Sequence, residues 1–391
     1  MKKVYMDNAA TTPVKKEVLE EMLPYFTEKF GNPSSVYSLG STSKVAIEKA
    51  REQVAQVLGA DKREIYFTGG GSESDNWAIK GAAFNNRKKG KHIITTKIEH
   101  QAILDTCKYL ERQGFEVTYL NVDKDGLVDM EELKEAIRED TILISVMFAN
   151  NEIGTIQPIK EIGQIAKEND VIFHTDAVQA IGHIEIDVNE LNIDLLSLSA
   201  HKFYGPKGVG ALYIRRGVRI DPLISGGGQE SRKRGGTENV PAIVGMGKAI
   251  QLAYENLKEK NNYLIKLRDR LIEKIEKNID HVKLNGHRTK RLPGNVNISF
   301  EFIEGESLLL SLDMVGIAAS SGSACTSGSL DPSHVLMSIG LTHEIAHGSL
   351  RLSLGDFNTE DEVDYVVEQL IKIVERLRKM SPLYDNNKEE N

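Results

Sequence analysis

From residue 64 onward the chain alternates short apolar runs with longer amphipathic stretches. The runs at 65–67, 92–96, 117–120, 142–148, 171–174 and 194–198 are short and nearly continuous, which predicts buried strands. Between them, 73–86, 101–112, 130–138 and 160–168 place apolar residues at helical spacing. Strands alternating with helices predict an α/β fold, a mostly parallel sheet covered on both faces. A last run at 210–214 follows 195–198 across a turn containing Gly205, Pro206 and Gly208, and predicts a hairpin.

The flanking segments have a different grammar. Residues 4–13 read as an extended arm ending at Pro13, followed by helices at 15–30 and 42–58 around the breaker-rich GNPSS of 31–35. A glycine-rich connection, 225–237, leads into one long helix from 240 to about 278. Beyond it the pattern predicts strands at 282–284, 294–300, 317–320 and 350–354 and helices at 305–315, 333–339, 342–347 and 359–380. The expected organisation is a large domain, 14–257, and a smaller α+β domain built from 258–391 with the arm 1–13 folded against it. The polar tail 384–391 is expected to be disordered.

Composition narrows the function classes. The 391 residues are 40% apolar and 27% charged, as in a globular protein, and the net charge of −8 argues against a nucleic-acid partner. The basic cluster Arg232-Lys233-Arg234 is short and lies in the glycine-rich connection. No apolar run reaches the length of a membrane span, and the N-terminus turns polar at Asp7 and Asn8, so neither membrane nor secretion is expected. Two cysteines exclude a disulfide framework and suit a reducing cytoplasm.

Candidate chemistry gathers at strand ends, where open α/β sheets bind ligands. Lys202 lies in the turn after the strand 195–198, where burial favours the neutral amine and Schiff-base chemistry with a carbonyl. TGGGSES at 68–74 passes from a strand into a helix, and its free N–H groups with the Ser72 hydroxyl suit a phosphate. Asp176 follows the strand 171–174, with Gln179 one helical turn further on, and His100 follows the strand 92–96 in the same way. A carboxylate at such a place either caps a helix or holds a protonated ring nitrogen. Asp123-Lys124-Asp125-Gly126 echoes a calcium loop but lacks its remaining ligand spacing, and predicts a turn.

Together with DNAATTP (7–13), GNPSS (31–35), SESDN (72–76), EHQA (99–102), ANNEIG (149–154), HTDAVQ (174–179), SAHKFYGPKG (199–208), RGGTEN (234–239), SSGSACTSGS (320–329) and HGSLRLSLG (347–355), the chain resembles the NifS/IscS-type cysteine desulfurases. These are class V aminotransferase relatives with the type I fold of pyridoxal-phosphate (PLP) dependent transferases, a seven-stranded mostly parallel sheet plus a smaller α+β domain. The resemblance runs from about residue 4 to 380. It implies that Lys202 holds PLP as a Schiff base, Asp176 pairs with the ring nitrogen, Gln179 bonds the ring hydroxyl, and His100 stacks on the ring and moves protons. It further implies that Gly71, Ser72, Ser199 and His201 hold the phosphate, and that Thr237 reaches it from the partner of a homodimer. Arg351 would clamp the substrate carboxylate with help from Asn151. Ser72 stands where the family carries Thr, and Ala200 where it carries Gly before His201. The implied reaction converts L-cysteine to L-alanine and leaves a persulfide on Cys325, for an iron–sulfur scaffold protein or another sulfur acceptor.

The two cysteines separate by context. Cys107 shares helical spacing with Ile103 and Leu110, the pattern of a core position. Cys325 lies among small polar residues that cannot bury themselves, and suits nucleophilic attack on a bound substrate's sulfur. The length of its loop matches the NifS/IscS branch. A competing motif, HEIAH at 343–347, matches the zinc-protease pattern H-E-x-x-H. Gly348 ends that helix at once and no GxxH extension follows, so no metal site is expected.

Overall fold

The computed structural model describes residues 2–321, 332–382 and 384. Seven strands form the main sheet: β2 (Ile65–Thr68), β3 (His92–Thr96), β4 (Glu116–Leu120), β5 (Thr141–Ser145), β6 (Ile172–Asp176), β7 (Leu195–Ser199) and β8 (Gly210–Ile214). Their order is β2-β8-β7-β6-β5-β3-β4, and only β8 runs antiparallel to its neighbours. Side chains alternate between faces, as a pleated strand requires. Ile94, Leu196 and Leu198 join the core under α3 (Ser38–Leu58), whereas Ile93 and Leu195 join the core around Trp77 on α4 (Gly71–Asn86). Helices α5 (Gln101–Arg112), α6 (Met130–Ala136) and α7 (Ile159–Glu168) complete the crossovers.

A second core surrounds a three-stranded antiparallel sheet, β9 (Val282–Leu284), β10 (Asn295–Phe300) and β12 (Ser349–Ser353), in the order β12-β10-β9. The arm strand β1 (Val4–Tyr5) pairs in parallel with β11 (Ile317–Ala318), and Val4 and Met6 are buried in this second core. A short kinked turn, α8 (Gln229–Arg232), precedes the helix pair that joins the two cores.

Two helical expectations are corrected. The stretch 15–30 is not one helix but α1 (Lys16–Met22) and α2 (Pro24–Thr27), because Pro24 has no N–H to continue the first. The long helix from 240 is likewise two, α9 (Val240–Tyr254) and α10 (Leu257–Asn278), divided at Asn256, which takes a left-handed φ of 55°. Ile243, Met246 and Ile250 of α9 bury in the first core, whereas Leu264, Leu267 and Leu271 of α10 bury in the second. A straight helix could not serve both. Among smaller shifts, α3 begins at Ser38 rather than residue 42, and Asp176 is the last residue of β6 rather than lying beyond it. The remaining helices are α11 (Gly305–Asp313), α12 (His334–Ser338), α13 (His343–His347) and α14 (Glu360–Lys379).

Candidate active site

A cavity of about 400 Å³ opens at the C-terminal edge of the main sheet. The ends of β2, β3, β5, β6 and β7 deliver side chains to it, because strands that run the same way release their loops at the same edge. Gly71, Ser72, His100, Asn151, Asp176, Gln179, Ser199, His201, Lys202 and Arg351 all line it.

The phosphate-type loop depends on close backbone approach. Gly210 at the start of β8 pairs with both Thr68 and Ser199, and a Cβ on it would lie 2.6 Å from the Leu198 carbonyl oxygen and 2.8 Å from Gly70 Cα. Helix α4 then starts at Gly71, and its first turn leaves the N–H groups of Gly71 and Ser72 without helical partners. With the helix dipole, this is a site for an anion. His201, in the turn after β7, approaches Thr11 Oγ1 at 3.2 Å through Nδ1. Burial, with Lys202 and Lys207 nearby, holds its pKa down to about 4, so it meets a ligand as a neutral ring.

Lys202 Nζ donates to the carbonyls of Ala9 at 2.5 Å and Ala10 at 2.8 Å. Gln179 Nε2 donates to the same Ala9 carbonyl at 3.0 Å. The arm thus forms one wall of the site, a role the sequence reading did not assign to it. Asp176 is buried, and its Oδ1 accepts from the Val178 N–H at 2.9 Å. Burial raises its pKa, while His100, the Val178 hydrogen bond and Lys202 pull it back. His100 is the N-cap of α5: its Nδ1 accepts from the Ala102 N–H at 3.1 Å, which puts the proton of a neutral ring on Nε2.

Arg351, in the middle of β12, is 1% exposed. Its guanidinium donates to the Asn151 carbonyl and to Asp7 Oδ1, each at 2.9 Å. Its buried Nε–H has no acceptor among the described residues. An unpaired buried donor on a charged group is costly, and a carboxylate arriving from the cavity relieves it.

Several buried groups at the cavity had no assigned role. Glu99, Glu152 and Asp75 line it and are almost fully buried. Burial pushes Glu99 up to about 8, against hydrogen bonds to its Oε1 from Met147 N–H and Thr96 Oγ1. Glu152 rises to about 7, partly held back by the Ser333 hydroxyl, and Asp75 rises well above its ordinary value through burial and the neighbouring Asp176. Behind them His174, wedged between the Ser145 and Ser197 hydroxyls, is held by burial to about 3 and stays neutral. All four lie in the motifs SESDN, EHQA, ANNEIG and HTDAVQ, so their positions were in view. Their burial depends on the packing of strands distant in sequence.

One expected site residue stands apart from this cavity. Thr237 is exposed at the end of the glycine-rich connection and does not line the cavity of its own chain. Cys325 and the tail from 385 lie outside the described residues. Cys107 is fully buried, with its thiol pushed up to about 12 by burial. The ring centroids of His343 and His347 on α13 are 6.0 Å apart, and no group of three or more His, Cys, Asp or Glu among the described residues could hold a metal ion. The 123–126 segment is a turn, with Asp123 Oδ1 accepting from the Asp125 and Leu127 N–H groups, each at 2.9 Å. No helix among the described residues is long and apolar enough to cross a membrane.

The chain matches the family Aminotransferase class-V over residues 4–366. It is 68% identical over 382 residues to a cysteine desulfurase IscS of Methanosarcina thermophila, covering 98% of this chain and 94% of that protein. It is 65% identical over 394 residues to the cysteine desulfurase IscS of Clostridium botulinum (strain Hall), covering 100% and 99%. Among solved structures, a NifS-like protein superposes with a TM-score of 0.91 at 44% identity, over 96% of this chain and 100% of that one. SspA in complex with cysteine superposes with a TM-score of 0.81 at 41% identity, over 91% and 100%. The fold is that of the PLP-dependent transferases, a large mostly parallel seven-stranded sheet beside a smaller unit. The chain belongs to the class-V aminotransferase family, in its cysteine desulfurase branch.

Proposed function

We propose that this cavity binds PLP and L-cysteine and that the protein is a cysteine desulfurase, forming L-alanine and a persulfide. The observation that carries the reading is the convergence of Lys202, Asp176, the free N–H groups of α4 and Arg351 on one cavity of about 400 Å³. Lys202 supplies an amine for a carbonyl, and the α4 N-terminus with Ser199 and neutral His201 supplies donors for a phosphate. Asp176, buried with one oxygen already bonded, suits a protonated ring nitrogen. When bound, PLP supplies an electron sink for the pair left at the substrate's Cα.

The chain's own residues then divide the work. Arg351 binds the substrate carboxylate, held in orientation by Asp7 and the Asn151 carbonyl. Gln179 and Asn151 orient the ring, and Asp176 keeps the proton on its nitrogen. Lys202 and His100 move protons, with the Ala9 and Ala10 carbonyls receiving the Lys202 amine when it is free. The Cys325 thiolate attacks the substrate's sulfur: an S–S bond forms, the Cβ–S bond breaks, and the electron pair passes to Cβ, which a proton completes to alanine.

The protein acts as a cytoplasmic homodimer in this reading, with Thr237 of each subunit reaching the partner's phosphate. The exposed apolar residues Leu19, Leu23, Phe26, Phe30, Val36 and Val45 on the segment 19–45 support a subunit interface there. The two buried cores support a division into a large domain, 14–257, and a small one, 1–13 with 258–391. The sulfur acceptor is an iron–sulfur scaffold protein or another acceptor of persulfide sulfur.

Incubation of the PLP-loaded protein with L-cysteine and a thiol reductant should yield alanine and sulfide in step, the reductant releasing the persulfide's outer sulfur as sulfide. Borohydride reduction should trap the cofactor on Lys202, and Lys202→Ala should abolish the adduct. An adduct mapped to another lysine in the wild type would overturn the assignment.

A further inference from the structure

The connection 225–237 is held in a shape its sequence disfavours. Glu230, Ser231 and Arg232 take φ values of 45°, 55° and 66°, three consecutive left-handed residues, none of them Gly. Such a run is costly for residues with side chains and persists only where surrounding contacts over-determine it. Those contacts are present. The buried Glu230 carboxylate takes two Arg51 nitrogens, at 2.7 and 2.8 Å, and the Phe67 N–H of β2 at 2.9 Å. Arg234 forks onto Glu73 at 2.9 and 3.2 Å, and Glu73 also accepts from the Gly69 N–H at 2.9 Å. Two bidentate ion pairs therefore tie the connection to α3 and to the first turn of α4, and the Phe67 N–H ties it to β2. Bidentate Arg–carboxylate pairs fix direction as well as distance. Thr237 follows three residues after Arg234, exposed and away from its own cavity.

We infer that the Arg51–Glu230 and Arg234–Glu73 pairs are a clamp that positions Thr237 for the cofactor phosphate in the partner subunit's cavity. The inference rests on the role proposed above for Thr237. Because Glu73 belongs to the first turn of α4, the clamp joins the anion loop of one subunit to cofactor retention in the other. Arg51 and Glu230 do not line the cavity, so they act through Thr237 as positioning residues.

The test is a double-mutant cycle on PLP affinity, measured by equilibrium dialysis of the dimeric protein, with mass measured in parallel. Glu230→Gln and Thr237→Ala should each weaken PLP binding about tenfold, the loss expected for one hydrogen bond to a charged group. The double variant should be no weaker than Thr237→Ala alone. Wild-type affinity in Glu230→Gln, or a double variant that loses the product of the two factors, would overturn the clamp. An unchanged affinity in Thr237→Ala would instead remove the phosphate role of Thr237, and the clamp with it. If Glu230→Gln fails to form the dimer, Arg234→Lys takes its place. It keeps the charge and loses the fork, and should show the same non-additivity with Thr237→Ala.

Discussion

Cys107 packs with Ile103, Leu110 and Trp77, and burial pushes its thiol up to about 12. A thiol of that kind is inert at neutral pH. Cys107→Ser should therefore turn over normally, while Cys325→Ser should bind L-cysteine and change the cofactor spectrum yet lose turnover at least about 10³-fold. Alanine release by the two variants checks both outcomes. Glu99 offers a second measurement. Folding raises its pKa from 4.5 to about 8, so the folded protein holds the proton more tightly than the unfolded chain. Its contribution to stability is full below pH 4.5 and is lost as the pH rises toward 8, by at most about 1.4 kcal/mol per unit. Glu99→Gln stays neutral throughout. Urea midpoints of the cofactor-free protein should show this variant gaining on the wild type between pH 5 and 8. At this scale the sequence brought into view residues that the fold gathers at one cavity, because candidate reactive side chains sit in local motifs. It did not disclose the buried acids beside them, whose pKa values depend on strands that meet only in the fold.

The break between α9 and α10 shows what periodicity misses. Apolar residues recur at helical spacing on both sides of Asn256, and neither Gly nor Pro marks the division. The break exists because the two apolar faces serve different cores. Asn tolerates the left-handed backbone that this change of direction requires. Asn256→Ala should cost about 1 kcal/mol in denaturant unfolding, whereas Asn256→Gly should stay within a few tenths. The division at Pro24, by contrast, was written in the sequence, since proline cannot continue a helix begun before it. The main strands were the most legible elements. A strand buried on both faces needs an apolar run whatever its neighbours are, so its position survives without knowledge of its partners.

At the scale of the molecule, the exposed apolar residues of 19–45 are the surface most in need of a partner. Phe30, 66% exposed, is the most accessible aromatic among them. Phe30→Asp should shift the mass in solution from dimer toward monomer. If Thr237 serves the partner's phosphate, the same change should weaken PLP binding about tenfold or more. Sedimentation and dialysis on one sample would show whether the two losses move together. Hydrophobic patterning marks helical stretches within 15–30 and 42–58 without saying what their outer faces meet, because periodicity shows which face is apolar and not which surface covers it.

The reversed strand β8 makes a spacer of a known width. Neighbouring strands lie about 4.8 Å apart, so the loop after β2 and the turn after β7 leave the sheet roughly 10 Å from each other. Gly210 stands between them, paired with the last residue of each. The sheet therefore works as a ruler, setting how long a molecule must be to touch the anion loop with one end and Lys202 with the other. Its graduation is a residue with no side chain. A side chain at Gly210 would press on the Leu198 carbonyl and on Gly70 and so change that separation. In the PLP reading proposed above, Gly210 would bear on cofactor size without itself lining the cavity.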